Sequence, residues 1–465
     1  MKTRGAADSE PAELLTSYLA DRRPKTGDRR PGTDDQGPRT KDEGPGTDWT
    51  DVVEVAVSEH VAPLLFKRLK ESDAQASVPA DAWQRLRRAY FNNGDRNTRL
   101  FRELTTVLQR LRGAGIPVIV LKGAYLAEAV YGDVALRPMC DNDLLVPKAD
   151  LARAEAVLLD MGGVHKQLKD TESRRRTKHH APPVLIRDLA IELHWTIVSP
   201  TGPVRVDAAG LWDRARPAAV AGVEVLSLSP EDLLLHLCLH FSYKDGCVGL
   251  RSLCDVAETI HRFRGEVDPE VRHGTIEFTE NWRVRNEPRP SPISVFSAAS
   301  VVDPVSVPGI DWQQVAERAR EWGATRYAGL ALNLAGSMLG AAVPAEVLER
   351  LVPGGIDPRV LAAAREAVLT QTGRHHWESL FSAQGARSPG EKTTFLKERV
   401  FLSRDEMAAK YPASRGSRFF YLYYALRLRD GLRAYTSHAL RRARLMMQKR
   451  RRERYAALYD WLTRQ

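Results

Sequence analysis

Two spacings of apolar residues divide this chain: one recurs as on a buried helical face, the other alternates or runs continuously over a few positions, as in a strand. From about Thr50 to Gly115 the helical spacing holds. It closes with Leu100, Leu104, Val107, Leu108 and Leu111 on one stripe before Gly113 and Gly115 stop it. The run IPVIVL, Ile116 to Leu121, is β-branched and bounded by Gly and Pro, which predicts a buried strand followed directly by Lys122 and Gly123. A small helix fits Ala124 to Val130, and DNDLLV, Asp141 to Val146, supplies a second strand. Asp150 is placed to N-cap a helix over Leu151 to Met161, closed by Gly162 and Gly163. In LAIELHWTIV, Leu189 to Val198, Glu192, His194 and Thr196 fall on one face of a third strand and Ile191, Leu193 and Trp195 on the other. Val223 to Leu228 reads as a fourth strand, and Ser229 with Pro230 opens a helix carrying Leu233 to Leu239.

Elsewhere the periodicity fails or changes. Residues 21–48 hold almost no large apolar side chain and are expected to be disordered, and the basic stretch 166–178 to be mobile. Residues 265–309, with EPRPSP at 287–292, have the composition of a loop or insertion. Helical patterning resumes at Asp311 and runs to about Gly373. Within it the small residues of Tyr327 to Val343, interrupted by Asn333 and Ser337, suit close helix packing better than a membrane. Ser403 with Glu406 forms a capping box ahead of an aromatic helix, Phe419 to Leu428. The expected organisation is a disordered tail over 1–49, helices over 50–113, a core over 114–228, helices over 229–264, the insertion over 265–309, a helical domain over 310–395 and C-terminal helices with a basic tail over 396–465. The fold class is α+β, a small mixed sheet flanked by mainly helical regions.

Composition narrows the function classes. With 465 residues, 43% of them hydrophobic, the chain can bury a substantial core. It has no apolar run of the roughly 18 residues that span a bilayer, and its start lacks a signal peptide's apolar stretch, so a cytoplasmic protein is expected. Cys140, Cys238, Cys247 and Cys254 form no CxxC pair and are expected to be free buried thiols. His236, Cys238 and His240 do not spell a zinc site, because only the two histidines share a helix face and no four-ligand spacing completes the set. The net charge of +10 concentrates at Arg441 to Arg454, expected as a solvated helical face, with contact to nucleic acid as the alternative.

The candidate chemistry lies between the first and third strands. Asp141 and Asp143, two apart, direct both carboxylates off one face of a strand, where they can hold a divalent cation such as Mg²⁺ or Mn²⁺ with phosphate oxygens filling its other positions. Glu192 on the next strand is the expected third ligand or the base for the acceptor, and His194 orients it or touches substrate. Lys122 and Gly123, where a strand gives way to a helix, can receive a triphosphate on a cation and free backbone amides, and Arg137 can reach the same phosphates. His236 with His240, and Arg251 with Asp255, repeat a one-turn spacing; they are expected to pair with each other and cap the interdomain packing, outside the catalytic set, with a wall of the acceptor or base pocket as the alternative.

The order of strand, Lys-Gly, helix, DxD strand and carboxylate strand resembles the polymerase-β-like nucleotidyltransferase superfamily. More closely, LKGAYLAEAVYGDVALRPMCDNDLLV followed by IELHW is similar to an uncharacterised bacterial nucleotidyltransferase family, as are SPEDLLLHLCLHF, RSLCDVAETI, IDWQQVAERAREWG and FLSRDEMAAKYP, from about Asp51 to Tyr435. The resemblance implies a metal-dependent transfer of a nucleoside monophosphate from an NTP such as ATP to a hydroxyl-bearing small molecule, peptide or protein. It maps the family's motif onto Lys122, Gly123, Arg137, Asp141, Asp143 and Glu192. Ala124 stands where the superfamily usually carries Ser or Gly. On that residue rests a second expectation, a non-catalytic relative acting as an adaptor in a biosynthetic gene cluster.

Overall fold

The computed structural model describes residues 10–20, 48–165, 178–200, 202–264, 309–370, 421–426, 429 and 456–462. The expectations for 21–47, 166–177 and 265–308, the capping box at Ser403 and the basic cluster Arg441 to Arg454 lie outside the described residues, and of the aromatic run only 421–426 and 429 are described.

The protein is α+β, with one seven-stranded mixed sheet and helical regions before and after it. Four helices precede the sheet: α1 (Glu10–Ala20), α2 (Trp49–Ser58), α3 (Ala62–Glu71) and α4 (Ala80–Gly113). Within the tail expected to be disordered, α1 carries Ala12, Leu15 and Leu19 at helical spacing, and burial of all three holds it as a helix. The leucine and valine stripe of α4 is buried as its spacing predicts.

The strands are β1 (Ile119–Val120), β2 (Asn142–Leu145), β3 (Val164–His165), β4 (Val184–Ile186), β5 (Leu189–His194), β6 (Arg216–Val220) and β7 (Val223–Ser227), in the sheet order β3-β4-β5-β2-β1-β7-β6. Only β2 with β5 and β1 with β7 run parallel. β3, β4 and β6 are absent from the sequence-based expectation. Two are very short, and RPAAV in β6 lacks the β-branched run that marks a strand. β6 and β7 form a hairpin whose turn residues Ala221 and Gly222 both have positive φ, 52° and 71°, as a tight two-residue turn requires.

Between the strands stand α5 (Leu151–Asp160) and α6 (Ala208–Asp213). Asp150 does not cap α5 as expected. It closes a 3₁₀ turn with helical φ/ψ, and its carboxylate accepts from Arg153 at 2.5 Å instead. After the sheet come α7 (Pro230–Leu239), α8 (Leu250–Arg262), α9 (Trp312–Glu321), α10 (Thr325–Leu339), α11 (Ala345–Leu351) and α12 (Pro358–Thr370). Ser229 caps α7 by accepting from the Asp232 amide, with Pro230 in the first turn as predicted, and Asp311 caps α9 in the same way. Both α7 and α10 are buried on nearly all sides, packed against α8. No described helix is long and apolar enough to cross a membrane.

Candidate functional site

The site forms where β1 ends and β2 and β5 lie side by side. Leu121 donates its backbone N–H to Asp143 O at 3.1 Å, and the chain then turns through Gly123 at φ 63°. A Cβ at Gly123 would stand 3.1 Å from Asp141 O, so the turn needs glycine both for its left-handed backbone and for its closeness to the next strand. A short helical stretch follows at once and becomes a π-helix over Leu126–Val130, the position of the small helix the sequence predicts. This turn presents Lys122, whose Nζ lies 2.9 Å from Asp143 Oδ2.

The parallel register of β2 and β5 pairs Asp143 directly with Glu192. Two residues along β5 on the same face, His194 reaches back so that its Nε2 stands 3.1 Å from Asp143 Oδ1 and 3.6 Å from Glu192 Oε2. These three side chains each offer a donor atom within 4.8 Å of the others, the one such group among the described residues. Asp143 and His194 are buried, and Glu192 is the most open of the three, with 17% of its side chain exposed.

Burial alone would raise the carboxylate of Asp143, but the Lys122 ammonium and the His194 hydrogen bond outweigh it and hold Asp143 well below the usual range. Glu192 is likewise lowered against its burial by the His194 hydrogen bond. Burial works to lower His194, and the hydrogen bonds and charges of Asp143 and Glu192 raise it in spite of that. His179 and His180 stack around the same imidazole, with ring centroids 5.3 and 5.1 Å from it, and both are lowered mainly by burial.

Asp141 precedes β2 and stands outside this trio. It lines an adjoining pocket with Lys122, Gly123, Arg137, His240 and Arg251. Arg137 borders that pocket, yet its guanidinium is committed elsewhere: Nε and Nη2 donate to the two oxygens of Asp255 on α8, each at 2.7 Å, and Tyr131 donates to the same carboxylate at 2.8 Å. The expected pairing of Arg251 with Asp255 is therefore corrected. Asp255 reaches across to the core, where Arg137 offers a bidentate fork, and Arg251 donates to Pro138 O at 3.0 Å.

His236 and His240 also differ from expectation. They meet edge to face, 6.4 Å apart, without a hydrogen bond between them. His240 stands between Asp245 Oδ2, 3.0 Å from its Nδ1, and Lys122 Nζ, 2.9 Å from its Nε2. The carboxylate holds the proton on Nδ1, which leaves the Nε2 lone pair to accept from the lysine. His236 is buried with neither ring nitrogen hydrogen-bonded. The expectation of buried thiols holds for Cys238, Cys247 and Cys254, whereas Cys140 is exposed because it lies in the loop just before β2.

Several residues that build the site were not singled out in the sequence. On α4, Asn93 donates to Ala135 O at 2.7 Å, Asn97 to Val134 O at 2.6 Å and to Arg137 O at 2.9 Å, and Arg96 to Met139 O. They clamp the loop that carries Arg137 into β2. Their signal is two asparagines and an arginine at i, i+3 and i+4, on a helix whose other buried positions are apolar apart from Asn93 and Asn97 themselves. On the helical side, Lys244 ends and Asp245 follows a second π-helix, His240–Lys244, the irregular kind of turn that often marks function. The positive charge of Lys244 bears on Asp143, His179, His180 and His240, and its ammonium has no ion-pair partner among the described residues.

The donor set fits a divalent ion. Asp143 turns Oδ1 toward His194 while its Oδ2 faces the Lys122 ammonium, and two carboxylates with an imidazole are ordinary metal ligands. Residues 45–272 match the family described as uncharacterised nucleotidyltransferase. Among solved structures, the solution structure of the antibiotic-resistance factor ANT(2'')-Ia is similar at 15% identity and a TM-score of 0.26, covering 36% of this chain and 84% of that one. The crystal structure of ANT(2'')-Ia in complex with adenylyl-2''-tobramycin is similar at 14% identity and a TM-score of 0.26, covering 35% of this chain and 87% of that one. No curated protein matches.

Proposed function

We propose that this chain, whose residues 45–272 match the family described as uncharacterised nucleotidyltransferase, is a metal-dependent enzyme that moves a nucleoside monophosphate from an NTP, ATP among the candidates, to a hydroxyl-bearing acceptor. One observation carries the metal dependence: the parallel register that sets Asp143 against Glu192 at the end of the Lys122-Gly123 turn. A divalent ion there would polarise the α-phosphate and lower the cost of charge building on the departing pyrophosphate. Asp143 and Glu192 hold it, and Asp141, at the adjoining pocket, completes the proposed carboxylate set.

Lys122 supplies charge for the phosphates, oriented by His240 and Asp245, while the amides after Gly123 line their approach. Arg137 shapes the pocket through Asp255 rather than by a free fork. In the reaction the acceptor oxygen bonds to the α-phosphorus, the bond to pyrophosphate breaks, and the hydroxyl proton passes to a carboxylate of the set. Glu192 is the more open of the buried pair and so the better placed to take it. The acceptor is a small molecule, peptide or protein bearing a free hydroxyl.

The test is pyrophosphate release by wild type and Asp143→Ala with each NTP, with and without Mg²⁺ or Mn²⁺, over candidate acceptors. Equal release by both proteins would sink the proposal. A catalytically decayed adaptor is the second reading. It is favoured by Ala124, which is fully buried and offers no polar contact where the turn meets the pocket. Nucleotide affinity that ignores the divalent ion would decide for it.

A further inference from the structure

The proposed function leaves open which ion the site selects, and the geometry of His194 bears on that. Asp143 Oδ1, Glu192 Oε2 and His194 Nε2 converge from two adjacent strands, with His194 Nε2 at 3.1 and 3.6 Å from the two oxygens. Donors bound at about 2.1 Å to one shared ion stand about 3.0 Å apart in an octahedron and about 3.4 Å apart in a tetrahedron, so these separations are those of cis ligands. The imidazole is aimed at the place between the carboxylates, not past it. It is also held there: β5 pairs with β2 through Leu145 opposite His194, and the ring packs on one side against both His179 and His180.

His180 is not free to replace it. The nitrogen it turns to Glu192 Oε2, at 3.7 Å, is Nδ1, and that nitrogen's proton is committed to Ala181 O at 2.8 Å. Lys122 does not occupy the same place either, because it meets Asp143 on Oδ2 while His194 meets Oδ1. One carboxylate can therefore serve an ion and the lysine at once.

We infer that the ion of this site is a first-row transition metal held by mixed donors, Asp143, Glu192 and His194, so that of the two ions the sequence suggested, Mg²⁺ and Mn²⁺, the site disfavours Mg²⁺ in an all-oxygen shell. The inference rests on the metal-dependent reading above and adds His194 to it as a ligand. Mg²⁺ demands oxygen ligands in a near-ideal octahedron, whereas imidazole nitrogen favours the transition ions, whose affinities rise along the series from Mn²⁺ to Cu²⁺. The site is also largely dry, so a donor nitrogen three per cent exposed meets little competition from water.

The full-length wild-type chain is titrated with Mn²⁺ and examined by pulsed electron paramagnetic resonance, with Mg²⁺ and Co²⁺ affinities measured by calorimetry. Bound Mn²⁺ is expected to show coupling to one ¹⁴N nucleus, and Co²⁺ to bind at least about tenfold more tightly than Mg²⁺, following the ligand preferences of these ions. His194→Gln should lose the nitrogen coupling and His180→Gln should keep it. His194→Asp, which restores an oxygen donor, should narrow the Co²⁺ to Mg²⁺ ratio. Circular dichroism establishes that each variant is folded, and a misfolded His194→Gln leaves the wild-type coupling and the His194→Asp ratio to decide. Mn²⁺ bound through Asp143 without nitrogen coupling would overturn the inference and leave the metal-dependent function standing. Binding of no ion that Asp143→Ala abolishes would overturn both.

Discussion

On the sheet side of the site, Asp143, Glu192 and His194 meet because two neighbouring strands each place a residue on the same face, and contact is a matter of strand period and register. On the helical side, His240 reaches Lys122 and Asp255 reaches Arg137, in each case a partner 118 positions earlier in the chain. The first wall is local geometry repeated; the second is a docking of α7, the following π-helix and α8 onto the core. The two walls therefore do different work: the sheet carries the groups proposed to bind the ion, and the helices fix the direction and charge of the groups around it.

The comparison is sharpest where a variant strikes one wall alone. Asp143→Ala should lower pyrophosphate release by about 10³-fold, since metal coordination is worth several kcal/mol and each 1.36 kcal/mol is one decade, while the fold survives because Lys122 keeps His240 and His194 keeps Glu192 as a partner. A loss of activity matched by unfolding in urea would show that the sheet wall is structural. Asp255→Ala should do the reverse, costing about 3 to 5 kcal/mol in urea unfolding, because it leaves the Arg137 guanidinium buried without its bidentate partner. Replacing both by apolar residues, Arg137→Met with Asp255→Leu, should recover most of that stability. If Asp255→Ala unfolded no more easily than wild type, the helical wall would not be what holds the core's Arg137 in place.

Gly123→Ala tests the turn that joins the walls. Its left-handed backbone and the nearby Asp141 carbonyl predict a loss of about 1 to 2 kcal/mol, with a raised KM for nucleotide measured in the same preparation. The smallest effect is one of pH. Burial disfavours the charged form of Asp245, but His240, Lys244 and Lys122 outweigh it and hold the carboxylate down at about 2. Its contribution to stability is therefore present above the ordinary aspartate value of about 3.9 and is lost as the pH falls through about 2. Between about pH 4 and 2 the gap in unfolding midpoint between wild type and Asp245→Asn should close. A gap that stayed constant over that window would mean that Asp245 is not linked to His240 and Lys122.

The strands that carry the site were legible because their periodicity is short and their boundaries are marked by Gly, Pro and charge. IPVIVL and LAIELHW could be read without knowing what covers them, although Ile116 to Leu121 shortens to two paired residues and Leu189 to Val198 ends at His194. The hairpin strand β6 was not legible, since Arg216–Val220 becomes a strand through pairing with β7 and not through its own residues. The helix α1 was missed for a related reason: eleven residues are too few to form a stable helix alone, and Leu15 and Leu19 need the rest of the fold to bury them.

For the site, the sequence by itself determined the identities and faces of Lys122, Gly123, Asp143, Glu192 and His194, because a period of two and a forced glycine turn leave their side chains little choice of direction. Only the tertiary structure decided that Asp141 stands apart from the trio, that Arg137 is consumed by Asp255, and that His240 and Asp245 turn toward Lys122. The first follows from β2 beginning at Asn142, and the others from contacts between segments more than a hundred residues apart, set by how whole helices pack against the sheet; no spacing along the chain encodes them.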